Sequence, residues 1–124
     1  MNSLNEVRDL LRNRMVAYAG RIPAEQEQKV ATVALVTWIS WTPDDYAGNV
    51  PQTISEDIQV MIWFKAGTSA TDVLWDVTQD LNKIGFGITW SDGPQLDPET
   101  DMNKATLHIR RSRSKRQQYL QGEN

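Results

Sequence analysis

The sequence predicts an α+β domain with elements in the order α-β-β-α-β-β, a mainly antiparallel four-stranded sheet carrying two helices on one face. Three observations lead there. Two segments place apolar residues at spacings of three and four, the mark of an amphipathic helix. Four others are rich in β-branched and aromatic residues or alternate with a period of two. The order of the segments keeps neighbouring strands together in pairs rather than alternating each with a helix, which favours an antiparallel sheet.

The first helix is expected over roughly residues 4–18. Ser3-Leu4-Asn5-Glu6 reads as a capping box, and Leu4, Val7, Leu11, Met15 and Tyr18 form one face. Gly20 and Pro23 close it, and Ala24 to Lys29 is a polar connection. The first strand follows over Thr32 to Trp41, where Val33, Leu35, Val36, Trp38, Ile39 and Trp41 make both alternating faces apolar. Such a strand is covered on both sides, the second by a neighbouring subunit if by no second layer of its own. Thr42 to Thr53, with Pro43, Asp44, Asp45, Gly48, Asn49 and Pro51, is expected as a long loop. Ile58, Val60, Ile62 and Phe64 then alternate with Gln59, Met61, Trp63 and Lys65 as the second strand.

Ser69 or Thr71 caps the second helix, whose buried stripe is Val73, Leu74, Val77, Leu81 and Ile84, with Gly85 at the position that ends it. Phe86, Ile88 and Trp90 form the third strand, Ser91 to Met102 a polar loop, and Ala105, Leu107 and Ile109 the fourth strand. The expected domain is residues 1–112, with 113–124 a basic, mobile tail.

The 124 residues suffice for one domain and for burying roughly two-thirds of the unfolded chain's surface. The sequence holds no cysteine, which excludes disulfides and thiolate chemistry. No stretch approaches the roughly 18 apolar residues of a membrane span, and Met1 to Arg14 lacks the apolar core of a signal peptide. The expectation is a soluble protein made in the cytoplasm, without membrane partners.

Charge is unevenly distributed within a net −3: residues 110–124 hold 5 of the 13 cations and 1 of the 16 acids. The cations fall in Arg110, Arg111, Arg113, Lys115 and Arg116. Such a run can bind phosphates in a salt-sensitive, sequence-blind way, or dock on an acidic protein surface. The five tryptophans suggest interfaces, where indole rings cover much area at little entropic cost.

Chemistry has little to build on. His108 is the only histidine, so neither a histidine zinc site nor a base–nucleophile pair is expected. Asp72, Asp76 and Asp80 line one side of the second helix and read as a solvated face, an acidic patch or, least of all, metal ligands. Asp97, Glu99 and Asp101 lack the glycine and bidentate glutamate of a calcium loop. Gly85-Phe86-Gly87 ends a helix, whereas phosphate cradles open one. No cofactor, metal or catalytic residue is expected.

Several motifs recur in a familiar order. A helix leads into a Trp-rich strand, then Asp44-Asp45-Tyr46-Ala47-Gly48-Asn49, then Glu56-Asp57-Ile58-Gln59-Val60-Met61-Ile62-Trp63. A helix ending Lys83-Ile84-Gly85-Phe86 follows, then Leu96-Asp97-Pro98-Glu99-Thr100-Asp101-Met102 and a strand ending in arginines. Over about residues 5–112 the chain resembles the tail-terminator (tail-completion) proteins of long-tailed bacteriophages, the siphovirus type. The resemblance implies a non-catalytic virion protein, assembled in the host cytoplasm and resident at the top of the tail. It implies a ring, usually of six subunits, that caps the tail tube, stops its polymerisation and meets the head-side connector.

On this reading the partners are further copies of the chain, the tail tube protein and the connector, while DNA passes through the ring without being bound specifically. An acidic lumen wall, from Asp72, Asp76 and Asp80 or from loop acids, would disfavour sticking. The candidate interface residues are Trp38, Trp41, Asp44, Asp45, Tyr46, Asn49, Trp63, Arg110, Arg111, Arg113, Lys115 and Arg116. The alternatives are a head-side joining protein of the same apparatus, a nucleic-acid-binding module using the basic tail, or an enzyme resting on carboxylates alone.

Overall fold

A computed structural model describes residues 2–23 and 31–114. Its elements run α1 (Ser3–Leu11), β1 (Val16–Ala19), β2 (Val33–Ala47), β3 (Val50–Phe64), α2 (Ala70–Lys83), β4 (Gly87–Asp97) and β5 (Met102–Ser114). The sheet has five strands in the order β1-β2-β3-β5-β4. It is mixed: β1 pairs parallel with β2, and the other pairs are antiparallel. The expected four-stranded sheet and α-β-β-α-β-β order are therefore corrected.

The additional strand comes out of the expected first helix, which stops seven residues early. Asn2, not Ser3, is the N-cap, its side chain accepting from the Leu4 N–H at 2.7 Å. After Leu11 a short turn leads into Val16-Ala17-Tyr18-Ala19, a β-prone segment that aligns with Val33–Val36.

Both expected loops are instead strand and tight turn. β2 and β3 continue to a hairpin closed by Gly48-Asn49, with Ala47 opposite Val50. Gly48 has φ +65°, the left-handed conformation that a two-residue hairpin turn demands. Pro43 is tolerated because, among the described residues, no strand lies beside β2 beyond Val36. β4 likewise runs to Asp97, and β5 starts at Met102. Asp97 organises the turn between them, accepting from the Glu99 N–H and the Thr100 hydroxyl, each at 3.1 Å. Gly93, at a bulge in β4, has φ +87°, and a Cβ there would lie 2.5 Å from the Lys104 carbonyl oxygen.

The core lies between the helices and one sheet face. Val7 and Leu11 of α1 and Val77 and Leu81 of α2 pack with Val36, Ile58, Val60, Ile62, Phe86, Leu107 and Ile109. Ser69 caps α2 through the Asp72 N–H, and Gly85, at φ +92°, follows its end. The opposite sheet face carries Leu35, Met61, Trp63 and His108, half-buried or buried. No helix of the described chain is long and apolar enough to cross a membrane.

Candidate assembly surface

β1 ends opposite Val36, and above Ser40, the level at which β4 begins, the sheet narrows to an arm made of β2, β3 and the end of β5. A bulge at Ile39 sets its side chains: Trp38 lies opposite Ile58, but Ser40 lies opposite Asp57. Strict alternation would put Trp38 and Trp41 on opposite faces. The extra residue instead brings both to the helix side of the sheet, Trp41 opposite Glu56. There they are 42% and 57% exposed. Tyr46, near the arm's tip, is 59% exposed.

Two further tryptophans lie open, and the sequence reading did not single them out. Trp75 is 67% exposed on the outer side of α2. Its position outside the stripe Val73, Leu74, Val77, Leu81 was a usable sign. Trp90 is 49% exposed on β4. A bulge at Thr89 turns it away from Ile88 and onto the side of His108, where the two rings lie 4.5 Å apart at a tilt of 41°. His108 also bonds Gln59 at 3.1 Å, so it holds a cross-strand position. Trp63 differs: it is buried, its indole N–H donates to Asp97 at 2.9 Å, and Lys104 sits 5.4 Å over its ring. It belongs to the fold and not to a surface.

As far as it is described, the basic run is paired within the fold, although the Arg110 side chain is 55% exposed. Arg110, Arg111 and Arg113 are in β5, so the expected mobile tail does not begin at 113. Arg110 donates to Asp57 at 2.8 Å. Arg111 is buried and lies 2.6 Å from Glu6 and 3.3 Å from Glu56, while Arg113 is 3.2 Å from Glu56. Ser3 donates to Glu56 and accepts from Arg111. Lys115 and Arg116 lie outside the described residues, as does the connection 24–30. Asp44 and Asn49 sit exposed on the arm, and Asp45 is part of β2.

The aspartates of α2 do not form a free acidic wall. Arg14, just beyond α1, donates to Asp80 at 2.6 Å and lies 3.4 Å from Asp76, tying the two helices together. Asp72 stands at the start of α2, where its negative charge suits the helix dipole. Among the described residues no three His, Asp or Glu side chains converge to hold a metal ion.

Two carboxyls are held below their ordinary range: Asp80 by the hydrogen bond from Arg14, opposed by burial, and Asp97 by the Trp63 N–H, also opposed by burial and aided by the Glu99 N–H. A depressed carboxyl stabilises the fold above its unfolded pKa and loses that contribution as pH falls through its folded value. Asp80→Asn should therefore lower Tm at pH 7. The gap to the unmodified chain should close as pH falls well below 4, which melts at stepped pH would show. A gap that is constant down to pH 2 would mean the clamp does not depend on the charge.

No protein-family model matches the chain, and no curated protein matches it in sequence. The likeness to tail terminators thus rests on the order and spacing of the motifs themselves.

Proposed function

We propose that this protein is a structural assembly subunit of the tail-terminator kind, working as a ring on a phage tail tube and carried into the virion. One observation supports it above the rest: Trp38, Trp41, Trp75 and Trp90 all stand more than 40% exposed on a small domain. A tryptophan covers roughly 150–250 Å² when buried, and monomers rarely leave so much aromatic surface to water. Interfaces place this residue at their energetic centres. Trp75 on α2, Trp38 and Trp41 on β2 and Trp90 on β4 all sit on regular backbone, which suits assembly by docking of ready-made surfaces.

The nucleic-acid alternative loses support from the same geometry. Three of the five cations in the basic run are spent on Asp57, Glu56 and Glu6, and a cation already paired releases few counterions on meeting phosphate. Phosphate contact is left to Arg110, paired but more than half exposed, and to Lys115 and Arg116. That is a small footprint for a duplex.

Sedimentation of the purified protein, alone and with tail tube protein, tests the proposal. The expected result is a closed oligomer in at least one of the two conditions, and co-sedimentation with the tube protein. A monomer in both, at the highest concentration attainable, would sink it. Binding to a head-side connector without the tube protein would promote the joining-protein alternative.

A further inference from the structure

Residues 12–19 carry two competing structural preferences. Leu4, Val7, Leu11, Met15 and Tyr18 keep a helical spacing through the whole segment, and its Arg12, Arg14, Met15, Ala17 and Ala19 are all good helix formers. Val16–Ala19 nevertheless forms β1, a strand of 4 residues with a single neighbour at the margin of the sheet. Helical bonding persists almost up to it: the Arg12 N–H donates to the Arg8 carbonyl and the Met15 N–H to that of Leu11, each at 3.0 Å.

We propose that residues 12–19 are a helix–strand switch, resting as β1 and able to continue α1 alongside α2. Room for the helical form is already present. Glu6 in the first turn of α1 and the Ile84 carbonyl just after α2 both meet Arg111, so α1 begins beside the end of α2. The 9 residues of α1 span about 14 Å and the 14 of α2 about 21 Å, so α1 stops short of the first turns of α2. A cavity of about 330 Å³ lies there, lined by Arg14, Met15, Thr32, Thr68, Val73 and Asp76. Continuing the helix to Tyr18 would add about 10 Å and carry it along those turns.

Arg14 decides between the two forms. In a continued helix it would stand three residues after Leu11 and four before Tyr18, inside the apolar stripe, where a charge is costly to bury. In the turn it stays near the surface, donating to Asp80 at 2.6 Å and lying 3.4 Å from Asp76. Arg12 closes the same turn by donating to the Ala17 carbonyl at 3.0 Å, a contact that a helix would break by aligning that carbonyl with its axis. Ala17 is itself buried in the core. Together these contacts make the strand the resting form.

What the switch controls is an edge. β1 covers β2 over Val33–Val36, and among the described residues no strand lies beside β2 further on. With residues 12–19 helical, β2 would present an unpaired edge from Val33 to Ala47, and such an edge is a template for strand pairing. This device belongs to the fold itself and does not depend on the assembly reading above.

The test is Arg14→Leu, which removes the contact with Asp80 and completes the apolar stripe. In the unmodified protein, Cα chemical shifts measured by NMR should be strand-like over Val16–Ala19. In the variant they should turn helical from Arg12 to Tyr18, and the Val33–Val36 amides that face β1 should exchange roughly tenfold faster or more. Should Arg14→Leu not fold, Arg14→Ala/Val16→Ala moves the same balance through helix propensity and should show the same helical shifts. Strand-like shifts retained in these variants, or random-coil shifts in their place, would overturn the switch, because the segment would then have no helical form to adopt.

Discussion

Ile62→Asp is expected to abolish cooperative folding. Ile62 is fully buried in β3, a strand with neighbours on both sides, where it lies opposite Ala34 of β2 and Ala105 of β5. Small residues on either side leave the space its side chain fills, and Val60 and Phe64 enclose it along the strand. Among the described residues no cation lies in this part of the core, so a carboxylate there has no partner. Burying one costs several kcal/mol, either as desolvation or as the work of keeping the acid protonated at neutral pH. Whole-domain stability is only about 5–15 kcal/mol, and the same change removes the apolar contacts. Ile62→Val is the control, with an expected cost of about 0.5–1.5 kcal/mol for a single lost methylene. A thermal melt followed by circular dichroism should show a shifted but sigmoidal transition for valine and none for aspartate. An aspartate variant melting within a few degrees of the parent would mean that this sheet face is not the core.

This central layer was legible because its signals are local and redundant. Ile58, Val60, Ile62 and Phe64 alternate without interruption, and the α2 stripe coincides with a serine cap and a terminal glycine. Where the reading failed, the deciding partner was remote in sequence. Met15 and Tyr18 continue the helical spacing of Leu11, yet Val16–Ala19 becomes a strand because a parallel neighbour, Val33–Val36, is available to it. Pro43 and Pro51 look like loop residues. Pro43 sits on an edge beyond β1, and Pro51 precedes the first residue of β3 that pairs with β5, Thr53. A strand can take proline where no ladder needs its N–H.

The tryptophan surface was half legible. Composition announced an excess of indole, and Trp38 and Trp41 were placed on it, but their common side depends on the bulge at Ile39. Alternation alone cannot reveal a bulge. Trp63 was misplaced for a related reason: what buries it is its bond to Asp97, thirty-four residues away in sequence.

The basic run holds the most instructive misreading, and the second large expected effect. Ala105, Leu107, Ile109, Arg111 and Arg113 keep a period of two. The inward pattern of β5 therefore does not end at Ile109; it changes from apolar to cationic where β3 changes from Ile58 to Glu56. Cross-strand neighbours of opposite charge are the sheet's equivalent of a helical ion pair. Here Glu56 lies opposite Arg111 and Asp57 opposite Arg110. Arg111 does most of the joining. Its guanidinium meets Glu6 at the start of α1, Glu56 in β3, the Ser3 hydroxyl at 3.0 Å and the Ile84 carbonyl at 3.0 Å after α2, and it lies 4.3 Å over the Phe86 ring.

Arg111→Met should therefore lower stability by about 3–5 kcal/mol, the usual loss when one partner of a buried pair is removed. Glu56 would keep the Ser3 hydroxyl and, as its cation, Arg113, which is more exposed. Adding Glu56→Leu to that variant should recover much of the loss, because the buried carboxylate that needed a cation is then gone. Arg111→Lys should fall between, since an ammonium cannot span several acceptors as the planar fork does. The cluster is shielded from water, so these differences should persist between 0.1 and 1 M salt, whereas exposed pairs weaken over that range. Urea unfolding of the four proteins measures all of this. Near-parental stability for Arg111→Met would show that the arginine is a surface residue after all, returning it to the pool of cations available for a partner.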